Sequence, residues 1–361
     1  MVQDNTLEEL RDEIDSVDDR LLALLNKRAA LTIRVGQVKR SISADVEFYR
    51  PEREATIIRR LLEKNEGPLP DDYLLGLMRS VIAACLSLEE ILTIAYLGPP
   101  GTFTHAALKK HFGRHAKQKD LANIEEVFRA VESGVCSYGV VPIENSVGGS
   151  INQTLDCLRD SSLQISGEII LGVKHQLLAR DSNPKNILKI YAHEQAFQQC
   201  QTWLRKNFPN AEKVAMSSNA AAAKLAYAER NTAAIASAEA AEIYQLVSVK
   251  KDIEDDPKNT TRFVVLGRRR PGITGEDRTI IMFSVINEPG VLHSVLGALS
   301  RRRISMTRIE SRPLRDAQWD YLFFVEILGH CEETQVEEAL FEIKSESTFF
   351  KILGSFPCAI G

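Results

Sequence analysis

Residues 7–38, LEELRDEIDSVDDRLLALLNKRAALTIRVGQV, carry apolar side chains at Leu7, Leu10, Ile14, Val17, Leu21 and Leu24, then at Leu31, Val35 and Val38. The steps alternate between three and four, the spacing of one helix face, so the stretch predicts a single long helix. A small globule cannot cover so long a stripe. It predicts packing against another long helix from a second copy, hence an intertwined homodimer. Arg28 falls where the stripe calls for an apolar residue. A lone arginine there ordinarily snorkels out or pairs with a carboxylate, because burying an unpaired charge costs several kcal/mol. Lys39, about three turns on, shares its face, and the two cations can converge on one anion. Arg11 stands roughly 42 Å from Lys39 on the same helix and can reach that anion only from the partner chain.

Outward from this helix, helical patterns run over 52–64 and 73–92, separated by the breaker Gly67-Pro68-Leu69-Pro70. From Thr93 the period changes. IAYLG precedes TFTHAALKKHF, YGVVPIEN precedes SINQTLDCL, and AAIAS precedes AEAAEIYQL, so strands alternate with helices as in an α/β domain with a largely parallel sheet. After the connector RRRPGITGEDR (268–278) the order becomes strand 279–286, helix 291–302, strand 304–312, strand 319–328 (starting at Trp319), helix 332–345 and strand 349–356. That is the βαββαβ order of a ferredoxin-like fold. The expected domains are an all-α unit at 1–92, an α/β unit at 93–270 and an α+β unit at 277–361.

The chain has 361 residues, more than one core usually organises, and 45 basic against 49 acidic residues leave a net charge of -4. Nothing in that balance favours nucleic acid or membrane as partner. The start MVQDNTLEELRDE lacks a basic and an apolar segment, and no run is long and apolar enough for a membrane span, so the cytoplasm is expected. Cys85, Cys136, Cys157, Cys200, Cys331 and Cys358 form no CxxC pair, which argues against a zinc site or a disulfide framework.

LRDEIDSVDDRLLALLNKR, VGQVK and YRPERE resemble the all-helical chorismate mutase family over residues 1–92. The resemblance implies a pericyclic rearrangement of chorismate, a dicarboxylate, to prephenate. Cations hold the reactive conformer and donors meet charge growing on the ether oxygen. It implies that Arg28 and the partner subunit's Arg11 bind carboxylates and that Arg53 lines the site. Glu54 would accept the substrate hydroxyl, and Lys39 with Glu89 would flank the ether oxygen. Some relatives carry glutamine at the position of Glu89. Only a protonated glutamate donates the same hydrogen bond, so mutase activity is expected to weaken as pH rises. Cys85 stands where others have serine and Arg50 where some have aspartate; neither is given a role.

In the α/β segment, YLGPPGTFTHAA sets Gly98 and Gly101 between strand and helix with Thr102 and Thr104 as candidate caps. In VVPIENSVGGSI, Glu144 and Asn145 end an apolar strand, a usual place for chemistry. In KNTTRFVVLG, Thr260, Thr261 and Arg262 open another. Alone each reads as an ordinary connection; GPPGTF, PIEN and TTRF in this order resemble the prephenate dehydratase family over residues 93–267. That implies two α/β lobes around a cleft, like a periplasmic binding protein, and loss of carbon dioxide and hydroxide from prephenate with no cofactor. Thr261 would assist proton delivery to the leaving hydroxyl, a task for which threonine needs a relay. Arg262 would bind carboxylate, while Glu144, Asn145 and Gln199 shape the site; Ala192, where the family often has serine, gets no role.

GVLHSVL, with Gly290, Val291 and Leu292, and ESRP, Glu310 to Pro313, resemble the two motifs of the ACT domain. They imply an L-phenylalanine site at a subunit interface, formed with Glu310, Ser311, Arg312 and Pro313, through which product inhibits the dehydratase. The three resemblances together imply a bifunctional enzyme of phenylalanine synthesis. A non-catalytic amino-acid sensor or solute-binding protein on the same folds is the alternative; it would not need Lys39, Glu54, Glu89, Thr261 and Glu144.

Overall fold

The computed structural model describes residues 6–42, 47–181, 183, 187–286, 288–313 and 321–360. Three helices come first: α1 (Leu7–Ile42), α2 (Pro51–Glu63) and α3 (Asp71–Glu89). α1 opens on a capping box. Thr6 Oγ1 accepts from the Glu9 amide at 3.3 Å, and the Glu9 carboxylate accepts from the Thr6 amide at 2.7 Å. Its 36 residues extend about 54 Å. Leu10, Ile14, Val17, Leu21 and Leu24 are exposed, so the predicted stripe is present and uncovered by the described residues of this chain. α1 approaches α3 at Gly36, where an added Cβ would stand 3.5 Å from Glu89.

The α/β part builds two lobes. The first holds β1 (Thr93–Leu97), α4 (Phe103–Phe112), β2 (Lys117–Leu121), α5 (Ile124–Glu132), β3 (Tyr138–Asn145), β4 (Gly149–Ser150), α6 (Asn152–Asp160) and β5 (Gln164–Gly172). The second holds β6 (Gln176–Ala179), β7 (Lys189–Ala192), α7 (Glu194–Gln199), α8 (Gln201–Asn207), β8 (Glu212–Ala215), α9 (Asn219–Ala228), β9 (Thr232–Ala236), α10 (Ala238–Ile243) and β10 (Val247–Lys250). The chain then returns to the first lobe as β11 (Thr260–Gly267). The last part runs β12 (Asp277–Ser284), α11 (Val291–Arg301), β13 (Met306–Pro313), β14 (Tyr321–Leu328), α12 (Thr334–Ser345) and β15 (Phe349–Pro357), the expected βαββαβ order. Trp319, expected to open β14, lies outside the described residues. Among them, no helix is long and apolar enough to cross a membrane.

The sheets are mixed, which corrects the expected largely parallel one. The larger sheet has the order β13-β14-β12-β15-β5-β11-β3-β1-β2, the smaller β10-β6-β9-β7-β8. Returning from the second lobe, β11 enters between β3 and β5 antiparallel to both. The terminal domain's sheet is continuous with the first lobe's through β15 and β5, which pair at Gly354 and Ile165. A Cβ at Gly354 would come within 2.4 Å of the Ile165 carbonyl oxygen, so only glycine permits the joint. Ile280, Phe324 and Phe356 share a buried core with Ile143, Ile165 and Val264 across it. Lys351 Nζ donates to the Leu158 and Arg159 carbonyls at 2.8 and 2.9 Å, satisfying the end of α6.

Candidate active sites

The helical domain encloses a cavity of about 790 Å³ lined by Arg28, Lys39, Arg53, Glu54 and Glu89. Lys39 Nζ pairs with Glu89 Oε2 at 2.8 Å. Arg28 Nη1 is buried with no hydrogen-bond partner among the described residues, an arrangement that favours an incoming anion. Burial pushes the Glu54 carboxyl up to about 8, against the pull of Arg79 and Arg28 and with Glu52 adding to the rise. Glu54 therefore keeps its proton at neutral pH, and Glu89, on which the expected pH dependence rested, accepts a hydrogen bond from Lys39. Arg11 is exposed on α1 and does not line the cavity. Sequence reasoning missed Phe48, whose ring lies 5.4 Å from Lys39 Nζ, and Ile273, a connector residue that lines the same cavity.

The second site forms where β3 and β11 end side by side. Asn145 and Thr261 are register partners, and Asn145 Nδ2 donates to Thr261 Oγ1 at 2.9 Å and to Asn259 Oδ1 at 2.9 Å. Asn145 Oδ1 accepts from the Val147 and Gly148 amides at 3.1 and 2.9 Å, which locks its orientation. The second lobe closes from above. Gln195 Nε2 would meet a Cβ on Gly148 at 3.2 Å, and Gln199, at the end of α7, bonds His175 Nε2 at 2.8 Å. His175 stacks edge-on against Phe103, and Thr102 caps α4 beside it. Burial holds the His175 imidazole below its ordinary pKa. It was not singled out from the sequence, where a histidine between two strands carries no distinguishing signal.

Glu144 and Arg262, expected in this same site, lie on the other side of the sheet. Successive residues of a strand face opposite ways, so the neighbours of Asn145 and Thr261 point away from them. Arg262 pairs with Glu168 at 2.8 Å, Glu326 at 2.6 Å and Glu144 at 3.6 Å. Arg278 also binds Glu326, and Arg308 pairs with Glu144 at 3.0 Å. Because Glu326 and Arg308 belong to the terminal domain, its β13 and β14 are tied by charge to the two strands that carry Asn145 and Thr261. Arg262 thus has three carboxylate partners in the protein.

In the terminal domain Gly290 takes a left-handed conformation, φ 85°, at the start of α11, with Val291 and Leu292 packed on the domain core. Ser284 and Arg312 both pair with Leu322, so the Gly290 turn and the end of β13 share one end of the sheet. Ser311 and Pro313 are exposed there. Glu310 and Arg312 turn to the dehydratase side: Glu310 accepts from Ser150 Oγ, and Arg312 pairs with Asp156 at 2.9 Å.

Residues 94–271 match the prephenate dehydratase family, residues 10–90 the chorismate mutase type II family and residues 279–344 the ACT domain family. A bifunctional chorismate mutase/prephenate dehydratase of Pseudomonas aeruginosa is 42% identical over 364 residues, covering 100% of both chains. One from Neisseria gonorrhoeae is 43% identical over 362 residues, covering 98% of this chain and 99% of its own. Among solved structures, the prephenate dehydratase of Arthrobacter aurescens in complex with L-Phe aligns at a TM-score of 0.70 and 32% identity, covering 74% of this chain and 90% of that one.

Proposed function

The chain belongs to the bifunctional chorismate mutase/prephenate dehydratase family, and we propose the following division of labour among its residues. Chorismate is rearranged to prephenate in the helical domain, and prephenate is dehydrated and decarboxylated to phenylpyruvate between the two α/β lobes. The observation that carries this reading is the separation of two constellations, Arg28, Lys39, Arg53, Glu54 and Glu89 on one cavity and Asn145 with Thr261 at paired strand ends.

In the mutase, Arg28 and the partner subunit's Arg11 hold the two carboxylates, with Arg53 at the rim. Lys39 donates to the ether oxygen as charge grows there, Glu89 orients Lys39, and neutral Glu54 hydrogen-bonds the substrate hydroxyl. The dimer this requires is supported by the uncovered Leu10, Ile14, Val17, Leu21 and Leu24 stripe and by the roughly 42 Å between Arg11 and Lys39 in one chain.

In the dehydratase, Asn145 donates to Thr261 Oγ1 and thereby directs the threonine's own proton outward. That proton goes to the departing hydroxyl, which leaves as water while the ring carboxylate leaves as carbon dioxide; threonine recovers a proton from solvent. Gln199, fixed by His175, contributes the wall from the second lobe. Glu144 and Arg262 act through their neighbours, holding the backs of the catalytic strands. Phenylalanine binds at the Gly290–Leu292 turn and the exposed end of β13, and the Arg262–Glu326 and Arg308–Glu144 pairs carry the resulting shift to Thr261 and Asn145. All six cysteines are unpaired, as a reducing cytoplasm would keep them.

The test is partition of the two activities. Arg28→Ala abolishes prephenate formation and spares the dehydratase, and Thr261→Val does the reverse. Loss of both activities in either variant contradicts separate sites.

A further inference from the structure

The connection from α1 to α2 serves two domains at once. Phe48 lines the mutase cavity, its ring 5.4 Å from Lys39 Nζ and 5.1 Å from the Arg40 guanidinium, and its carbonyl accepts from Lys39 Nζ at 3.4 Å. Tyr49, the next residue, turns the other way and is 2% exposed within the core of the dehydratase lobe. Its ring meets those of His111, Phe112 and Tyr138 at centroid distances of 5.6, 5.1 and 5.0 Å. Its hydroxyl bonds His111 Nε2 at 2.5 Å, and a Cβ on Gly167 would stand 3.4 Å from that hydroxyl. Two residues further on, α2 begins with Pro51, and its first turn presents Glu52, Arg53 and Glu54 to the mutase cavity.

Tyr49 therefore fixes the chain between two catalytic elements, α1 with Lys39 and α2 with Glu54, against His111, Phe112 and Tyr138 of another domain. Burial keeps His111 neutral, its pKa pushed down to about 3, so the contact persists across the working pH range. We propose that Tyr49 is a positioning residue for the mutase reaction: seated against His111, it holds the Phe48–Glu54 wall of the cavity in register with Lys39. The mutase then depends on a side chain of the dehydratase domain. This rests on assigning the mutase chemistry to that cavity.

Full-length Tyr49→Leu, Tyr49→Phe, His111→Gln and Arg28→Ala are assayed for both reactions. Tyr49→Leu lowers mutase kcat on the order of a hundredfold, the loss expected when a constellation shifts by about 1 Å, with a smaller change in KM. His111→Gln moves the same way. Tyr49→Phe keeps the ring contacts and recovers most of the rate. Dehydratase kcat/KM stays within about threefold throughout, less than about 1 kcal/mol. An unchanged mutase in Tyr49→Leu and His111→Gln overturns the proposal, and so does a parallel fall of both activities, the mark of a merely structural socket. If Tyr49→Leu does not fold, His111→Gln carries the test from outside the mutase helices. Full mutase activity in Arg28→Ala would instead show that the cavity is misassigned, which separates the two failures.

Discussion

Replacing Glu54 by glutamine removes one titrating group and keeps its size. In the folded chain burial holds this carboxyl at about 8, although Arg79 and Arg28 pull it down; unfolded, it returns to about 4.5. A carboxyl whose pKa rises on folding is bound to its proton more tightly in the native state. Its contribution is complete below about 4.5 and is lost as pH rises through about 8. At about 1.4 kcal/mol per pH unit, the gap sets a ceiling of about 5 kcal/mol. Hydrogen exchange of α2 and α3 amides reports the opening free energy of this region. Measured from pH 5 to 9 in wild type and Glu54→Gln, the difference cancels every other group. The wild type should lose roughly 4 kcal/mol relative to the variant between pH 5 and 8, at about 1.4 kcal/mol per unit, and then level off. Its mutase activity, which follows protonation in the folded chain, should fall as pH rises through about 8. Parallel curves, or a wild type that gains on the variant as pH rises, refute the burial argument.

Mixing Arg11→Ala with Arg28→Ala protein, each inactive as mutase, should restore about a quarter of wild-type activity, since half the dimers would be mixed and each would hold one intact site; no recovery after subunit exchange argues against a shared site. Glu326→Gln leaves Arg262 and Arg278 short of a charge and should destabilise the domain joint by about 3 kcal/mol, at the low end because Glu168 remains. The phenylalanine concentration for half inhibition should then change about tenfold; an unaltered inhibition curve would remove these pairs from the regulatory route. Asn145→Ala should cost the dehydratase about a hundredfold while sparing the mutase, because Thr261 loses the donor that orients its proton.

Periodicity made α1 and the terminal βαββαβ unit legible, since each buries or presents one regular apolar face. β2, with the sequence KQKDL, and β8, EKVA, were not, because polar edge strands show no alternation. The strand ends carrying Asn145 and Thr261 were visible as breaks after apolar runs. The facing of Glu144 and Arg262 was not, since it depends on the pleat and on Glu168, Glu326 and Arg308, partners distant in the chain. Glu54 was legible through the motif YRPERE, but its protonation is set by enclosure among Arg79, Arg28 and Glu52, which only the fold assembles. Tyr49 drew no attention beyond its place in YRPERE, because its partners His111, Phe112 and Tyr138 lie more than sixty positions away.

The most direct test of two separate sites under one regulatory domain is a coupled assay of the purified chain with chorismate, following prephenate and phenylpyruvate with and without phenylalanine. Both products should appear in sequence, with phenylalanine suppressing phenylpyruvate. If neither product forms at acidic or neutral pH, a sensor or solute-binding protein on these folds is the better account.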